Sequence, residues 1–558
     1  MTQEDGAGPV AGQTRREGSP DGTPGTTMTG VLPATGSRPA VVSRSIALAP
    51  SLLPAAVAAV LALLARELGW RGSDLPAHFF RVAIVKRDGF EIWNNLWYGG
   101  HHTLGYGVLF PLLGASLGIW TVTVLSSATS AFLADIVLRQ ATGRRCLLAS
   151  MWFAVSTVTN VAVGRLPFAL GLAVALGALA AAQRRWIVLT ALLTVATAAA
   201  SPVVSAFLAL VFLAWAWSCV GVDRHRFVAL SVLSMAPVLL VAAFYPQGGA
   251  FPFRWPALLL TLGTVAWVLV FVPLQQRLVR AAAVLYAVAA TIAFVVPTPL
   301  GANLNRFGMY AAGPALLAVV PMRRFLALVI PWLLWWQWSP ALDAMLRAGR
   351  DPSTQEAYYR PLIGYLSSVG AETGRLEIVP TGRHWEAGYV ASRFPIARGW
   401  ERQLDIRFNS LFYEEGLTAA EYHQWLLDSG VDRVAVPDAL LDDSGVEEAA
   451  LIADGLWYLR PAWTDAHWQV FEVVDSTGLV DGAAEVVSID IDSVTLDVHQ
   501  HGDVVVRVRE SPFWVTDPVL CVEPTDDGWI VVREAPIGEL VVRLDEAEPL
   551  ADDACAQL

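Results

Sequence analysis

The sequence predicts a polytopic α-helical membrane protein of about eleven spans, with an extracytoplasmic α/β plus β-sandwich C-terminal region. Three observations predict it. Hydrophobic residues make up 55% of the 558 and mean hydropathy is +0.48, too apolar for a soluble chain of this length. The apolar residues come in blocks near membrane-span length. Charge is partitioned: residues 45–338 carry 19 Lys+Arg against 6 Asp+Glu, whereas residues 339–558 carry 15 against 40. A basic membrane region followed by a strongly acidic soluble region argues against nucleic-acid binding.

Residues 1–44 are rich in Gly, Pro, Ser and Thr and read as a disordered cytoplasmic tail. The first apolar run begins near residue 46 and no small-residue cleavage site follows it, so it reads as a retained first span rather than a signal peptide. Further apolar segments fall at 108–138, 146–163, 166–182, 186–200, 202–220, 227–244, 256–272, 281–296, 308–321 and 324–338. The block 108–138 is long enough to hold a re-entrant or tilted piece. Together with residues 46–66 and the external loop 67–107, these segments form a transmembrane domain over 45–340.

Arginine placement sets the topology. With the N-terminus cytoplasmic, the inside loops hold Arg139/Arg144/Arg145, Arg184/Arg185, Arg224/Arg226, Arg277/Arg280 and Arg323/Arg324. The outside loops after the first hold single arginines, Arg165, Arg254 and Arg306. This is the positive-inside pattern, and an odd span count leaves the C-terminal region extracytoplasmic. Near-exclusive use of Arg over Lys, with abundant Ala, Val and Gly, suits a GC-rich bacterial genome and so a multi-pass protein of the inner (plasma) membrane. The basic first outside loop is the exception to the pattern, which suggests a use such as binding phosphate. The segment 331–340, PWLLWWQWSP, reads as an interfacial aromatic belt.

Beyond the membrane, residues 341–482 read as an α/β domain. RLEIVP, GVDRVAVP and HWQVFEVV have strand character, and AAEYHQWLLDSG reads as a helix stopped by Gly430. Residues 483–558 alternate with period two between Gly and Asp turns, as in a small β-sandwich. Of four cysteines, Cys521 and Cys555 lie in this last part and could pair if it is exported, which the sequence leaves open.

The loop 72–107, GSDLPAHFFRVAIVKRDGFEIWNNLWYGGHHTLGYG, concentrates the chemistry. Pro76 suits the first turn of a helix. Over 75–88 such a helix aligns Asp74, His78, Arg81 and Asp88 on one face, and could lie in the outer membrane interface. Two readings stand side by side. In one, Asp74 caps the helix and the basic residues meet lipid headgroups. In the other, Asp74 is a general base, His78 orients it, and Arg81, Lys86 or Arg87 holds an anionic leaving group. Trp93, Trp97 and Tyr98 offer faces for stacking on sugars, and His101 and His102 offer hydrogen bonds. Adjacent histidines seldom ligate one ion, so no metal site is assigned; a divalent cation is left open. Arg165 in GRLPFALG and Arg306 in NLNRFG are lone arginines at the outer interface, candidates for snorkelling or for contacts with a lipid phosphate. The segment 383–413, dense in Trp, Tyr, Arg and Glu, reads as packed core with ion pairs or as a carbohydrate-binding face.

Many spans with an inside N-terminus, a long first external loop with an Asp just after span one, and an extracytoplasmic C-terminal domain together resemble the GT-C superfamily of membrane glycosyltransferases. The resemblance implies an inverting transfer of a sugar from a polyprenyl-phosphate donor to a cell-envelope glycan or lipid acceptor on the outer face. It places the catalytic base at Asp74. The DD or DE pair frequent in that superfamily's first loops has no counterpart here, and Asp88 or Glu91 is the candidate second acid. The stretch DLPAHFFR…DGFEIWNNLWYGG…YGVLFPLLG also resembles bacterial membrane proteins labelled as related to 6-pyruvoyl-tetrahydropterin synthase, although nothing in the chain suits pterin chemistry. Two other classes remain as alternatives. A transporter or flippase of a lipid-linked substrate would need buried ionisable residues in mid-membrane, where Asp135 is the near candidate. A non-catalytic envelope scaffold would need none.

Overall fold

A computed structural model describes residues 48–246, 248–320, 323–347, 349–545 and Cys555, with the backbone alone for 323–326. The expected tail 1–44 lies outside the described residues. The helices are α1 (Leu52–Glu67), α2 (Leu75–Arg87), α3 (Leu109–Leu117), α4 (Ile119–Thr142), α5 (Leu147–Val163), α6 (Leu166–Gln183), α7 (Ile187–Ala200), α8 (Pro202–Ser218), α9 (Val222–Phe244), α10 (Trp255–Phe271), α11 (Arg277–Val295), α12 (Asn305–Val319), α13 (Arg323–Leu346), α14 (Glu356–Ser368), α15 (Glu386–Tyr389), α16 (Arg402–Phe408), α17 (Ala419–Asp428) and α18 (Val446–Ala453).

Over the described residues, each apolar segment expected as a span is largely helical. The block 108–138 divides at Gly118 into the short α3 and the long α4. Among the described residues, five helices are long and apolar enough to cross a bilayer: Ala49–Glu67, Ile119–Thr142, Leu166–Gln183, Val222–Phe244 and Arg277–Val295. Four more apolar helices are shorter, Leu147–Val163, Ile187–Ala200, Pro202–Ser218 and Trp255–Phe271. Helix length alone therefore does not carry the expected eleven spans.

The helices pack through small residues and turn large apolar ones outward. α1 buries Ala58, Ala62 and Ala65 against Ala131 of α4 and Ala154, Val158 and Val161 of α5, while Leu53, Val60, Leu63 and Leu64 stay exposed. Small residues let backbones approach closely, and apolar residues outside cost nothing against lipid. Asp135 is buried in α4 but fully engaged: it pairs with Arg139 at 2.8 Å and accepts from Ser51 and Ser150. Its carboxylate is therefore not free in the way a proton-coupled transporter would need.

The strands are β1 (Trp93–Asn94), β2 (His101–His102), β3 (Arg375–Ile378), β4 (Val431–Pro437), β5 (Leu459–Thr464), β6 (Trp468–Val473), β7 (Val480–Asp481), β8 (Ala484–Ile489), β9 (Ser493–Val498), β10 (Gly502–Val506), β11 (Trp514–Asp517), β12 (Val522–Pro524), β13 (Ile530–Ala535) and β14 (Gly538–Leu544). β3, β4, β6 and β5 form one sheet in that order, with β3 parallel to β4 and the other pairs antiparallel. Two antiparallel sheets follow, β12-β13-β10-β7 and β11-β14-β9-β8. Val494, Leu496, Val504, Val506, Val532 and Val542 from both meet in one apolar core. Cys521 and Cys555 are disulfide-bonded.

The first loop joins the two halves of the chain. α2 turns its apolar face to protein rather than to lipid: eight of its thirteen residues are buried, packed with Ala387, Val390 and Phe394 of the C-terminal region. β1 and β2 form a hairpin, with Trp93 opposite His102. Trp93 enters the core of the two antiparallel sheets. The Ile396 and Arg509 amides donate to the Leu96 and Gly99 carbonyls, both at 2.8–2.9 Å.

Candidate functional site

The site is built where the first loop crosses the end of α5. Two glycines permit the crossing. A Cβ on Gly72 would lie 2.5 Å from Val163 Cα, and one on Gly164, whose φ is +93°, would lie 2.3 Å from the Leu75 nitrogen. With that approach the Asp74 amide donates to the Val163 carbonyl at 3.1 Å, and Asp74 comes beside Arg165, the residue that opens α6.

Asp74 occupies the cap position of α2, yet its side chain makes no capping hydrogen bond. Its Oδ2 faces Arg165 Nε at 3.5 Å and Arg306 Nη2 at 3.8 Å instead. The three side chains are 22%, 17% and 15% exposed, so the cluster is sheltered but reachable. Arg306 stands at the start of α12 and lies over the Phe168 ring.

The cluster continues along α2. The buried His78 ring lies 5.5 Å from Tyr106 and 5.7 Å from Phe110. Neither of its nitrogens has a hydrogen-bond partner. Burial, reinforced by Arg81 and Arg306, pushes its pKa well below the ordinary value, so the ring is neutral. Arg81 lies over the Tyr106 ring at 4.2 Å and forms a buried ion pair with Glu401. Burial lowers its pKa to about 10, which still leaves it charged at neutral pH. Tyr106 is pushed up, first by burial and then by the Asp74 charge, so its phenol stays protonated.

Glu401 comes from the C-terminal region, just before α16. Its amide donates to Tyr98 Oη at 2.8 Å, and Tyr98 donates back to its carbonyl. His101 Nε2 is 4.0 Å from the Glu401 carboxylate. Burial, with Arg81 next in weight, lowers the His101 pKa to about 3, so that contact is not an ion pair near neutral pH. Three arginines, two carboxylates and two neutral histidines leave the cluster with one net positive charge. That suits an anion.

Other candidates are placed elsewhere. Lys86, Arg87 and Asp88 are exposed at the far end of α2, about 18 Å along the helix from Asp74. Arg87 there clasps Asp88 and donates to the Ser392 carbonyl. Asp88 is thus spent on its neighbour, and the carboxylate that meets Arg81 is Glu401, which sequence reasoning missed. Trp93, Trp97 and Tyr98 are buried, so their faces serve packing rather than stacking on a sugar: Trp93 on Trp514, Trp97 on Phe80, Tyr98 beside Phe408. His102 turns to Trp93, Tyr245 and Phe513, away from His101, and burial lowers its pKa to about 4. The pair cannot share an ion.

The residues do not fit a divalent cation. Asp74 is flanked by guanidinium groups rather than by a second carboxylate. Among the described residues, one group has metal-ligand spacing, Cys521, Glu523 and Cys555, and its cysteines are bridged. The segment 383–413 turns most of its charges inward, with Arg393 and Arg407 exposed. Arg398 bonds Asp405 at 2.7 Å and Glu448 at 3.4 Å, and Arg402 bonds Asp442 at 2.6 Å. Beneath Arg398, the Glu377 carboxyl is fully buried with no partner for either oxygen. Burial, reinforced by Glu448, pushes its pKa well up. A cavity of about 300 Å³ lies at the end of α1, lined by Arg66, Glu67, Gly69, Arg71 and Trp120, none of them from the cluster.

Fold and site together define a class: a helical protein with apolar candidate spans and C-terminal sheets, carrying an Asp–Arg–Arg cluster under its first loop. No known family profile and no curated protein matches the sequence, so the pterin-synthase label finds no support. Among solved structures, cryo-electron microscopy structures of the arabinofuranosyltransferase AftD from mycobacteria are similar. One is 16% identical over 77% of this chain and 40% of that chain, with a TM-score of 0.41. Two classes of a mutant are 16% and 15% identical over 77% and 82% of this chain, with TM-scores of 0.45 and 0.42. The chain spans about two-fifths of the length of those structures. The chemistry of the site stands on its own geometry.

Proposed function

We propose that this protein is a membrane glycosyltransferase of GT-C type, using a polyprenyl-phosphate sugar on the outer face of the bacterial plasma membrane. The observation that carries the proposal is Asp74 between Arg165 and Arg306, in a sheltered, net-positive cluster beyond the first apolar helix. Guanidinium groups hold a phosphate through charge-assisted, often bidentate hydrogen bonds and stay charged at neutral pH.

In the proposed reaction the donor phosphate settles against Arg165 and Arg306. It takes over their contacts and frees the Asp74 carboxylate. The acceptor hydroxyl oxygen attacks the anomeric carbon while Asp74 takes its proton. The bond from that carbon to the phosphate oxygen breaks, and the charge left on the phosphate is met by the two arginines. Attack opposite the leaving group inverts the anomeric centre. Neutral His78 and protonated Tyr106 flank the cluster without adding negative charge. The acceptor is a cell-envelope glycan or lipid, and basic loops hold the N-terminus on the cytoplasmic side.

The test is transfer from a panel of polyprenyl-phosphate hexoses and pentoses by the full chain in lipid nanodiscs. Replacing Asp74 by Asn should lower turnover at least about a hundredfold, the usual weight of a general base. Undiminished transfer by a folded D74N protein would remove Asp74 from the reaction.

A further inference from the structure

Immediately below Arg165 and Arg306 a line of polar side chains descends between α5 and α12. Asn160 sits in the last turn of α5, and its carbonyl accepts the Arg165 amide at 2.8 Å. Its side-chain Oδ1 accepts from Tyr310 Oη at 2.7 Å. Tyr310 lies one turn beyond Arg306 on α12 and also meets Thr159 Oγ1 at 2.5 Å. The Phe168 ring touches both, with Arg306 over it at 5.4 Å and Tyr310 beside it at 5.7 Å. Asn160 is thus tied to both arginines through short links.

Asn160 is 1% exposed, and its Nδ2 has no hydrogen-bond partner. A buried amide donor left unmade is costly, and native folds rarely keep one without a use. The tyrosine fixes the carboxamide by its oxygen, which leaves the nitrogen as the free end. Nearby, the buried Arg165 Nε faces the Asp74 carboxylate at 3.5 Å without forming a hydrogen bond to it. Asn160 Nδ2 is thus a buried donor in want of an acceptor, beside a net-positive cluster that suits an anionic oxygen.

We propose that the Asn160 carboxamide is a ligand-binding group of the Asp74 site, donating from Nδ2 to an oxygen of a phosphate ester held by Arg165 and Arg306, with Tyr310 as the positioning residue that orients it. This rests on the phosphate reading of the site and adds to it a neutral donor from inside the helical bundle. No proton or bond changes hands in this step. The neutral amide approaches the phosphate from the membrane side, where a further charge would be expensive to bury.

The experiment uses the full chain in nanodiscs and follows its unfolding temperature during titration with farnesyl phosphate or with inorganic phosphate. N160L keeps the side-chain size and removes the donor; Y310F keeps Asn160 and removes its anchor. N160L should weaken farnesyl phosphate binding about tenfold or more, as expected for a hydrogen bond to a charged group. Y310F should weaken it several-fold, and the exposed K86A should not change it. Weakening confined to farnesyl phosphate assigns the site to a lipid ester, and weakening with both probes assigns it to the phosphate alone; either supports the inference. Wild-type affinity in both N160L and Y310F overturns it while leaving the site intact. Wild-type affinity in R165A as well overturns the phosphate reading itself. The unliganded unfolding temperature controls for folding, and if N160L does not fold, Y310F decides.

Discussion

Replacing Glu401 by Leu should loosen the C-terminal region from the first loop, and the structure sets the size of the effect. Arg81 and Glu401 form an ion pair with side chains only 8% and 7% exposed. Removing one partner of a buried pair leaves the other charge desolvated and costs about 3–5 kcal/mol. Arg81→Met should cost a similar amount, since it strands the Glu401 carboxylate. Removing both charges leaves neither stranded, so the double variant should lose far less than the sum of the singles, with a coupling of about 2 kcal/mol or more. The assay is thermal unfolding of the full chain in nanodiscs, followed by tryptophan fluorescence, for the wild type, both singles and the double. Trp93, Trp97 and Trp385 all lie in the buried loop contact and report its opening. Additive losses, or single variants as stable as the wild type, would refute the claim that this pair holds the two parts together.

Lys86 and Arg87 sit at the exposed end of α2, so K86A and R87A should leave transfer and farnesyl phosphate binding within about twofold of the wild type, as for surface changes generally; a large loss in a transfer assay would return them to the site. Gly164→Ala should destabilise the protein by at least about 1–3 kcal/mol and reduce transfer, because it adds a Cβ at positive φ against the Leu75 backbone; unfolding temperature and transfer rate check this together. Glu377 takes up a proton on folding, since burial raises its pKa above the unfolded value of 4.5. Stability tied to that proton is therefore full below about pH 4.5 and falls as pH rises towards the folded value. Glu377→Gln, neutral at every pH, should raise the unfolding temperature at pH 7 and flatten its slope between pH 5 and 7, the range over which the effect is expected; an unchanged slope would mean that the carboxyl has a partner in solution.

Much of the fold was legible because burial in lipid and burial in protein leave different periodicities. Continuous apolar blocks marked the helices α1 and α3 to α13, and period-two alternation marked the strands of the two antiparallel sheets. α2 was legible as a helix opening at Pro76, but the partner of its apolar face was not, for a reason that local pattern does not contain. Its apolar face suits a membrane surface as well as it suits Ala387, Val390 and Phe394, and only the folded chain shows which partner it takes. The same holds for Trp93, Trp97 and Tyr98: an aromatic cluster beside charges looks alike whether it waits for a ligand or fills a core.

By itself, the sequence determined the apolar segments, the acidic C-terminal region and the charged first loop, and it named Asp74, His78, Arg81, Arg165 and Arg306 as residues of interest. Those properties are local: they follow from residue type, spacing and the cost of moving charge out of water. Tertiary structure alone decided that Asp74 leaves its helix uncapped and faces two arginines from α6 and α12, that Glu401 supplies the second carboxylate, and that Lys86, Arg87 and Asp88 stand apart. Those facts depend on which backbones can touch, here through Gly72 and Gly164, and contacts between segments far apart in the chain leave no periodic trace along it.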